Sequence, residues 1–259
     1  MHERSAGVPG ALLSVRDSGG TGIPVVFVHA ATGSTRVWEH QESAFVDAGF
    51  RFIAYDRRGF GSTTVDVGAD PVTGADDLDA LMAALRVDRF HLVGTAAGGI
   101  VCFDYAISFP SRLRSLVVAN SIGGFQDPAF VERVRQLRPP PFEQMPAAFR
   151  ELGPVYRAEN PEGTRRWNEL QRASWPDGVR PPPQPTRNRL TLELLGRFTA
   201  PTLLVAGDAD LYAPPPLMNE FATRIANAES IVLSGVGHSA YWERPDLFNS
   251  AVLAFIRKH

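Results

Sequence analysis

Several features are scarce or absent in this chain of 259 residues, and each absence excludes a class of protein. Cys102 is the only cysteine, which excludes an internal disulfide and a cysteine-built metal site and fits a reducing compartment. No apolar run approaches the roughly 18 residues that a membrane-spanning helix needs, and residues 1–10 contain no apolar stretch typical of a signal peptide. We therefore expect a soluble, cytoplasmic protein with no membrane partner.

Neither positive nor negative charge is in large excess in this chain. The formal net charge is −2 with 21% charged residues, so the chain has neither a basic field for nucleic acid nor an acidic tail. The six histidines show no spacing typical of metal ligands. We expect no metal, no cofactor and no nucleic-acid partner, which leaves a small-molecule substrate, bound by a monomer or a homodimer.

Short apolar runs alternate with longer segments of helical periodicity. Runs that are apolar on both faces are typical of strands buried in a parallel sheet that helices cover. Leucine and methionine recur at helical spacing in residues 76–85, and apolar side chains do so in 245–256. The length fits one α/β domain. The strand-like runs are 25–28, 52–55, 91–93, 116–118, 203–205 and 231–233.

One long segment, residues 122–197, lacks any strand-like run. Two proline triplets, 139–141 and 181–183, interrupt helical pieces such as 161–174. We predict a helical cap at 122–197, inserted into a core formed by 1–121 and 198–259. Its many aromatic residues predict a mostly apolar pocket under the cap. Its twelve arginines against nine acidic residues weakly favour a carboxylate-bearing substrate, although arginines commonly lie on solvated helix faces.

The five residues Gly94-Thr95-Ala96-Ala97-Gly98 have the form of a nucleophile elbow, G-x-S-x-G, with alanine at the position of the attacking serine. A strand-like run precedes them and an apolar helical segment follows, which is the context that this motif requires. In such a sharp turn, a Cβ at Gly94 or Gly98 would clash with neighbouring backbone. The segment therefore predicts an elbow without its nucleophile.

The other parts of an acyl-transfer site can be located in the sequence. His238 follows the last strand-like run in a Gly-Val-Gly-His segment, where a loop can hold the imidazole over the elbow as the base. Asp210, after the preceding strand, is the predicted orienting acid, and Asp208 is interpreted as a structural turn residue. The N–H groups of Ala97 and Ala31 are the predicted oxyanion donors.

Other side chains near these positions are assigned to the pocket or to structure. His29 is interpreted as a brace of the oxyanion loop and Cys102 as a small buried apolar residue. Thr95 is expected to point away from the base, so neither it nor Cys102 replaces the missing nucleophile. Trp38 could serve helix packing instead of the pocket. The predicted substrate-binding residues are Thr32, Ser34, Trp38, Phe125, Phe149 and Trp167.

Taken together, these motifs resemble those of the α/β-hydrolase family over nearly the full length. The resemblance implies a mostly parallel eight-stranded sheet with one antiparallel strand near its start, and an active site at the strand C-terminal ends beneath a helical cap. Within the family, the chain is most similar to small esterases, enol-lactonases and carbon–carbon bond hydrolases. The motifs are His29-Ala30-Ala31, Tyr55 to Ser62, the elbow, Gly207-x-x-Asp210 and Gly237-His238, with the nucleophile, acid and histidine in the family's order.

Ala96 allows three interpretations. In the first, alanine replaces the serine of an active ester or lactone hydrolase, so that the chain binds substrate and barely turns it over. In the second, alanine is native, and His238 with Asp210 forms a general-base dyad of a lyase, an isomerase or a cofactor-free oxygenase, or activates water. In the third, the chain is a ligand receptor. We favour the first, because acid, base and oxyanion loop are intact.

Overall fold

A twisted sheet runs through the centre of the computed structural model, which describes residues 2–259 without the side chain of Asp177. Helices cover both faces of this sheet, as expected for buried parallel strands. The strands are β1 (His2–Val8), β2 (Ala11–Asp17), β3 (Pro24–Val28), β4 (Arg51–Tyr55), β5 (Thr64–Val65), β6 (Phe90–Thr95), β7 (Leu113–Ala119), β8 (Thr202–Gly207) and β9 (Ala228–Leu233).

The strand order is β1-β2-β4-β3-β6-β7-β8-β9, and the two-residue strand β5 pairs with β2. All pairs from β4 to β9 along this order are parallel. Strand β2 is antiparallel to β1, β4 and β5. The mostly parallel sheet is therefore confirmed, with nine strands instead of eight because β5 adds a short pairing with β2.

Ten α-helices pack around the sheet in the described residues. The predicted segment 245–256 has the bounds of α10, and the segment predicted at 76–85 begins two residues earlier, where the Thr73 hydroxyl accepts a hydrogen bond from the N–H of Asp76. The helices are α1 (Glu39–Asp47), α2 (Gly74–Ala84), α3 (Ala97–Ser108), α4 (Pro128–Leu137), α5 (Ala147–Glu151), α6 (Pro154–Glu159), α7 (Pro161–Ala173), α8 (Pro215–Ala222), α9 (Ala240–Glu243) and α10 (Pro245–Ile256).

Alternation along each strand divides the core into two apolar layers. In β3, Val26 and Val28 join the layer that contains residues of α2, α3 and α8, whereas Val25 and Phe27 join the layer that contains residues of α1, α7 and α10. Both layers are needed because the strands β3, β4, β6, β7 and β8 are buried on two faces. The central strands are consequently held on both sides, and the loops at their C-terminal ends start from fixed positions.

Between β7 and β8, the described chain forms helices and short 3₁₀ turns without a strand. This is the segment 122–197 that the sequence predicts as a cap. Helix α7 buries Trp167 and Leu170 in the layer of α1 and α10, while Phe125 and Phe130 pack into the opposite layer. The segment therefore rests on both sides of the sheet and crosses above the ends of its strands.

Candidate active site

The predicted elbow lies between β6 and α3, and its backbone is strained at one position. Ala96 has φ +50° and ψ −117°, in the region that L-residues rarely occupy. A Cβ at Gly94 would lie 2.4 Å from Cys102 Sγ, and one at Gly98 would lie 2.1 Å from the carbonyl oxygen of Val28. Glycine is therefore required on both sides of Ala96, which projects from a sharp strand-to-helix turn.

The acid and the base predicted from the sequence are in contact. His238 Nδ1 lies 2.9 Å from both carboxylate oxygens of Asp210, and the two side chains are almost fully buried. Oδ1 of Asp210 also accepts hydrogen bonds from the N–H groups of Tyr212 and Ala213, at 2.7 and 3.0 Å. These bonds hold the carboxylate against Nδ1, so that the remaining ring nitrogen, Nε2, is available to accept a proton.

The electrostatics of this pair favour its charged forms. Burial opposes charge on the imidazole, but the Asp210 carboxylate and its hydrogen bond raise the pKa of His238 above its ordinary value of 6.5. Burial likewise opposes charge on Asp210, yet the imidazole and the N–H donors around it lower the pKa of Asp210 below 3.8. Asp210 is therefore ionised at neutral pH and can stabilise an imidazolium.

Asn120 and Glu243 support this pair, and neither was identified from the sequence. Asn120, at φ +49° just after β7, donates through Nδ2 to Asp210 Oδ2 at 3.1 Å and to the carbonyl of Gly237 at 3.0 Å. The buried Glu243 carboxylate accepts a hydrogen bond from the Gly237 N–H at 3.0 Å. Asn120 could have been found from its place at the C-terminal end of a central strand, whereas Glu243 carries no motif.

Asp208, the alternative acid in the same loop, faces away from His238. Its two carboxylate oxygens accept hydrogen bonds from Ser234 Oγ at 2.9 Å and from the Gly235 N–H at 2.7 Å. These bonds tie the loop after β8 to the loop after β9. Asp208 thereby braces the segment that leads to His238, without contact to the imidazole.

The two predicted oxyanion donors, Ala31 and Ala97, line the same cavity as Ala96 and His238. Ala97 is the first residue of α3, where an N–H has no acceptor within the helix. The Ala31 carbonyl accepts a hydrogen bond from Trp175 Nε1 at 2.8 Å, which fixes the loop after β3 to the segment 122–197. Both N–H groups can therefore serve an oxygen placed in the cavity.

His29 occupies the bracing position predicted for it. Its Nε2 accepts a hydrogen bond from the N–H of Arg57 at 3.0 Å, and its Nδ1 lies 2.7 Å from the Ala30 carbonyl oxygen. Burial lowers the pKa of His29 well below 6.5, so the ring is neutral and can accept and donate at the same time. The ring connects the loop after β3 with the loop after β4.

The cavity at the elbow has a volume of about 210 Å³ and combines apolar and charged walls. Thr32, one of the predicted substrate-binding residues, lines it. The ring of Tyr212 packs on the ring of His238, with centroids 4.4 Å apart. Segment 122–197 supplies the charged part of the wall, which the sequence did not identify because no pattern separates these residues from other arginines and acids of the helices. They are Arg138, Arg150, Glu151 and Arg180, next to Trp175.

Three predicted substrate-binding residues lie outside the cavity, on the side of α1 and α7. Trp38 packs on Phe27 with ring centroids 5.1 Å apart, and Trp167 is buried in the same apolar layer. Ser34 is buried and its Oγ accepts a hydrogen bond from the Arg36 N–H that starts a 3₁₀ turn. The structure thus gives these three residues packing and capping roles, contrary to the sequence-based prediction.

Phe125 and Phe149 also lie outside the cavity. Phe125 is buried in a cluster of aromatic rings, with its centroid 5.0 Å from that of Phe221. Phe149 is 47% exposed and lies under the guanidinium of Arg157, 3.9 Å from the ring centroid. The prediction placed both at the substrate because they belong to segment 122–197, but the Phe125 side chain packs in the core and that of Phe149 lies at the surface.

Two kinds of feature are absent from the part of the chain that the structure describes. Within residues 2–259, no group of three or more histidine, cysteine, aspartate and glutamate side chains could hold a metal ion. No helix in that range combines the length and the apolar character needed to cross a membrane.

Comparison with known proteins gives a consistent result. The family model of the α/β hydrolase fold matches residues 23–245. The chain is 29% identical, over 92% of its length and 95% of the relative's, to a Mycobacterium tuberculosis protein provisionally named a non-heme bromoperoxidase. It is 27% identical to the 2-hydroxy-6-oxo-6-phenylhexa-2,4-dienoate hydrolase of Comamonas testosteroni, over 92% of this chain and 89% of that one. A malate-bound thermophilic esterase from Thermogutta terrifontis superimposes with a TM-score of 0.82 at 27% identity, covering 100% of this chain and 99% of the esterase.

Proposed function

Because this chain belongs to the α/β-hydrolase family, we propose that its site is built to hydrolyse a small carboxylic ester or lactone with a serine nucleophile, which Ala96 replaces. One observation carries the proposal: Ala96 keeps a strained, positive φ on an elbow that faces the His238–Asp210 pair. Such a conformation costs on the order of 1–3 kcal/mol and persists where function requires it. A binding protein with alanine at this position would have no use for that strain.

For the serine form, we assign one group to each reaction step. The hydroxyl at position 96 attacks the carbonyl carbon, while Nε2 of His238 takes its proton and Asp210 stabilises the imidazolium. The carbonyl oxygen becomes an oxyanion that the N–H groups of Ala31 and Ala97 bind. The imidazolium returns the proton to the leaving alkoxide, and a water activated by the same imidazole then cleaves the acyl-enzyme into the acid and the free serine.

The chain with alanine lacks the first of these steps. No hydroxyl is present at position 96, and Thr95 is fully buried and absent from the cavity wall. Cys102 is also fully buried, and burial raises the pKa of its thiol, so that it remains protonated and unreactive. We therefore expect the chain to bind an ester or lactone and to leave it intact.

The test is covalent labelling together with product analysis. Ala96→Ser and the unchanged chain are incubated with an alkyl phosphonofluoridate, and intact masses are measured. Ala96→Ser should gain one phosphonyl adduct at residue 96, because the serine oxygen attacks phosphorus and displaces fluoride while His238 takes the serine proton. It should also release acid from esters or lactones in a pH-stat. If Ala96→Ser forms no adduct and releases no acid from esters or from lactones, the proposal is refuted.

The alternative to a serine hydrolase is an enzyme that uses His238 and Asp210 as a general-base dyad without a nucleophile, and one specific observation supports it. His238 and Asp210 form a complete dyad, and Glu151 in the cavity wall has a buried Oε2 without a hydrogen-bond partner in the described residues. A dyad and a second carboxyl group could move a proton on a substrate without covalent catalysis. This alternative would be favoured if the unchanged chain turns over a substrate, if His238→Ala abolishes that turnover, and if Ala96→Ser does not increase it.

The proposed mechanism also predicts how kcat/KM of Ala96→Ser depends on pH. In Ala96→Ser, kcat/KM should fall as the pH drops through the pKa of His238, which lies above 6.5, because a protonated imidazole cannot accept the serine proton. Burial raises the pKa of the nearby Glu243 to about 7, so this carboxyl group also titrates near neutral pH and could produce an acidic limb. A pH profile of Ala96→Ser/Glu243→Gln separates the two. An acidic limb that disappears in the double variant would assign it to Glu243 and contradict the prediction.

A further inference from the structure

A second cavity of about 160 Å³ adjoins the one at the elbow. Both cavities are lined by Ala31 and Ala97, the two predicted oxyanion donors, and by Ile100 and Arg180. A carbonyl group bound at the oxyanion donors would therefore have one side toward His238 and another toward the second cavity. The remaining walls of that cavity are mostly apolar, with Phe60 and the proline-rich stretch 181–185.

Arg57 lines this second cavity as a buried cation without a counterion. Its exposed fraction is 4%, and its Nε and Nη2 have no hydrogen-bond partner among the described residues. The ionisable groups that influence its pKa are Tyr55, Cys102 and Arg180, none of which is a carboxylate. Burial lowers the pKa of Arg57 to about 10, so the guanidinium is still charged at neutral pH.

Its neighbour Arg58 shows what a structural arginine in this loop looks like. Arg58 donates through Nε and Nη2 to the two carboxylate oxygens of Asp77, at 2.7 and 2.9 Å, which gives the bidentate geometry of a complete ion pair. Arg57 has no such carboxylate partner among the described residues. It lines the cavity, and the ring of Phe60 lies 4.7 Å from its guanidinium carbon. Burying an unpaired cation destabilises a fold, so its retention indicates a ligand that pairs with it.

The charges around the cavity favour an anion. Asp104 is the acidic residue of its wall, and its oxygens already accept hydrogen bonds from the N–H of Arg187 at 2.7 Å and from the N–H of Asn188 at 3.0 Å. Arg180 adds a second cation at the boundary of the two cavities. The main chain of Arg57 is fixed by the hydrogen bond from its N–H to His29, so the guanidinium starts from a rigid position.

We propose that Arg57, assisted by Arg180, binds a carboxylate carried on one arm of the substrate. This assignment rests on the proposed function for the reacting bond, and it narrows the substrate class to esters or lactones that bear a free carboxylate. A planar guanidinium matches a carboxylate with two parallel hydrogen bonds, and the apolar walls suit the methylene groups between the carboxylate and the reacting carbonyl.

The binding experiment uses the chain with Ala96, which leaves an ester intact. Calorimetric affinities are measured for the monoethyl esters of succinic, glutaric and adipic acids and for acetoxy acids that carry the carboxylate on the alcohol arm. The neutral controls are the diethyl esters and the ethyl esters of the acetoxy acids. At least one monoanion should bind about 10- to 100-fold more tightly than its neutral counterpart, as expected for hydrogen bonds between charged groups. Equal affinities throughout both series would overturn the proposal.

Arg57→Met and Arg57→Lys then test the residue itself. Arg57→Met should remove the preference for the monoanion while leaving diester affinity within about twofold, and Arg57→Lys should keep part of the preference because it keeps the charge. Arg172→Met, which removes an exposed cation of α7, is the matched control and should change nothing. The melting temperature of Arg57→Met should not fall, since no ion pair is lost. A preference that survives in Arg57→Met would overturn the assignment.

Turnover separates this proposal from the proposed function. In Ala96→Ser, the monoethyl ester preferred in binding should be hydrolysed with a higher kcat/KM than its diethyl ester, and Arg57→Met should remove this difference. If Ala96→Ser hydrolyses no ester or lactone, the proposed function fails. Charge-dependent binding that is lost in Arg57→Met still supports the anion site in that case.

Discussion

Ala96→Ser should increase the turnover of a responsive ester or lactone by several orders of magnitude. Removing a triad nucleophile costs about 10⁶ in kcat when the base and the oxyanion donors remain, so restoring it should recover most of that factor. The structure shows the His238–Asp210 contact at 2.9 Å, and Ala31 and Ala97, the proposed oxyanion donors, line the cavity. The measurement is kcat for p-nitrophenyl esters and small lactones, with both proteins prepared identically.

Ala96→Gly is the matched control for this gain. Glycine accepts the positive φ of residue 96 without strain and supplies no hydroxyl, so a change in activity caused by relaxation of the elbow would appear in both variants. Only Ala96→Ser should become active, with a burst of p-nitrophenol where deacylation is slow. Equal rates in the serine, glycine and alanine proteins would mean that residue 96 is not a nucleophile position.

The central strands could be predicted because each of them contains a short, continuous apolar run. The six apolar runs became β3, β4 and β6 to β9, all in the parallel region of the sheet. β1 and β2 were not identified from composition because neither is a continuous apolar run. Four of the first five residues of β1 are polar or charged and exposed, including Arg4, and in β2 buried residues alternate with more exposed ones. The position of these two strands depends on partners distant in sequence, such as the ion pair of Arg51 with Asp17, at 2.7 Å.

The elbow and the acid–base pair could also be located from sequence, because each lies in a short motif directly after a strand. Strand C-terminal ends meet at one edge of a parallel sheet, so the order of strands brings Ala96, Asp210 and His238 together. The pocket wall could not be predicted in the same way. Whether Trp167 faces the substrate or the core depends on how helix α7 docks, and that is a tertiary property.

The charged residues that line the cavities could not be identified from sequence either. Arg57 and Arg58 are adjacent and chemically identical, yet Arg58 is paired with Asp77 and Arg57 faces a cavity. Composition records two arginines, and only the fold shows which one lacks a counterion. The surplus of arginine in segment 122–197 likewise pointed weakly to a carboxylate, while the buried cation at the cavity lies outside that segment.

In the Ala96→Ser background, loss of the base should nearly abolish the recovered activity. Ala96→Ser/His238→Ala should return kcat close to that of the unchanged chain, because nucleophile and base act as one unit and their effects are not additive. Ala96→Ser/Asp210→Asn should lower kcat by about 10⁴, because the amide favours the wrong tautomer of the imidazole that it contacts. The measurement is kcat for the best substrate at a pH where His238 is neutral, with circular dichroism to verify folding.

Asp208→Asn provides the matched control for the acid. Asp208 lies two residues before Asp210 in the same loop, but its carboxylate bonds to Ser234 and Gly235 and does not reach the imidazole. In the serine background, Asp208→Asn should retain kcat within about tenfold, and its melting temperature should fall modestly because two loop hydrogen bonds weaken. The assignment reverses if Asp208→Asn loses four orders of magnitude and Asp210→Asn does not. The same result would show that the 2.9 Å contact between Asp210 and His238 supports the loop and does not orient the base.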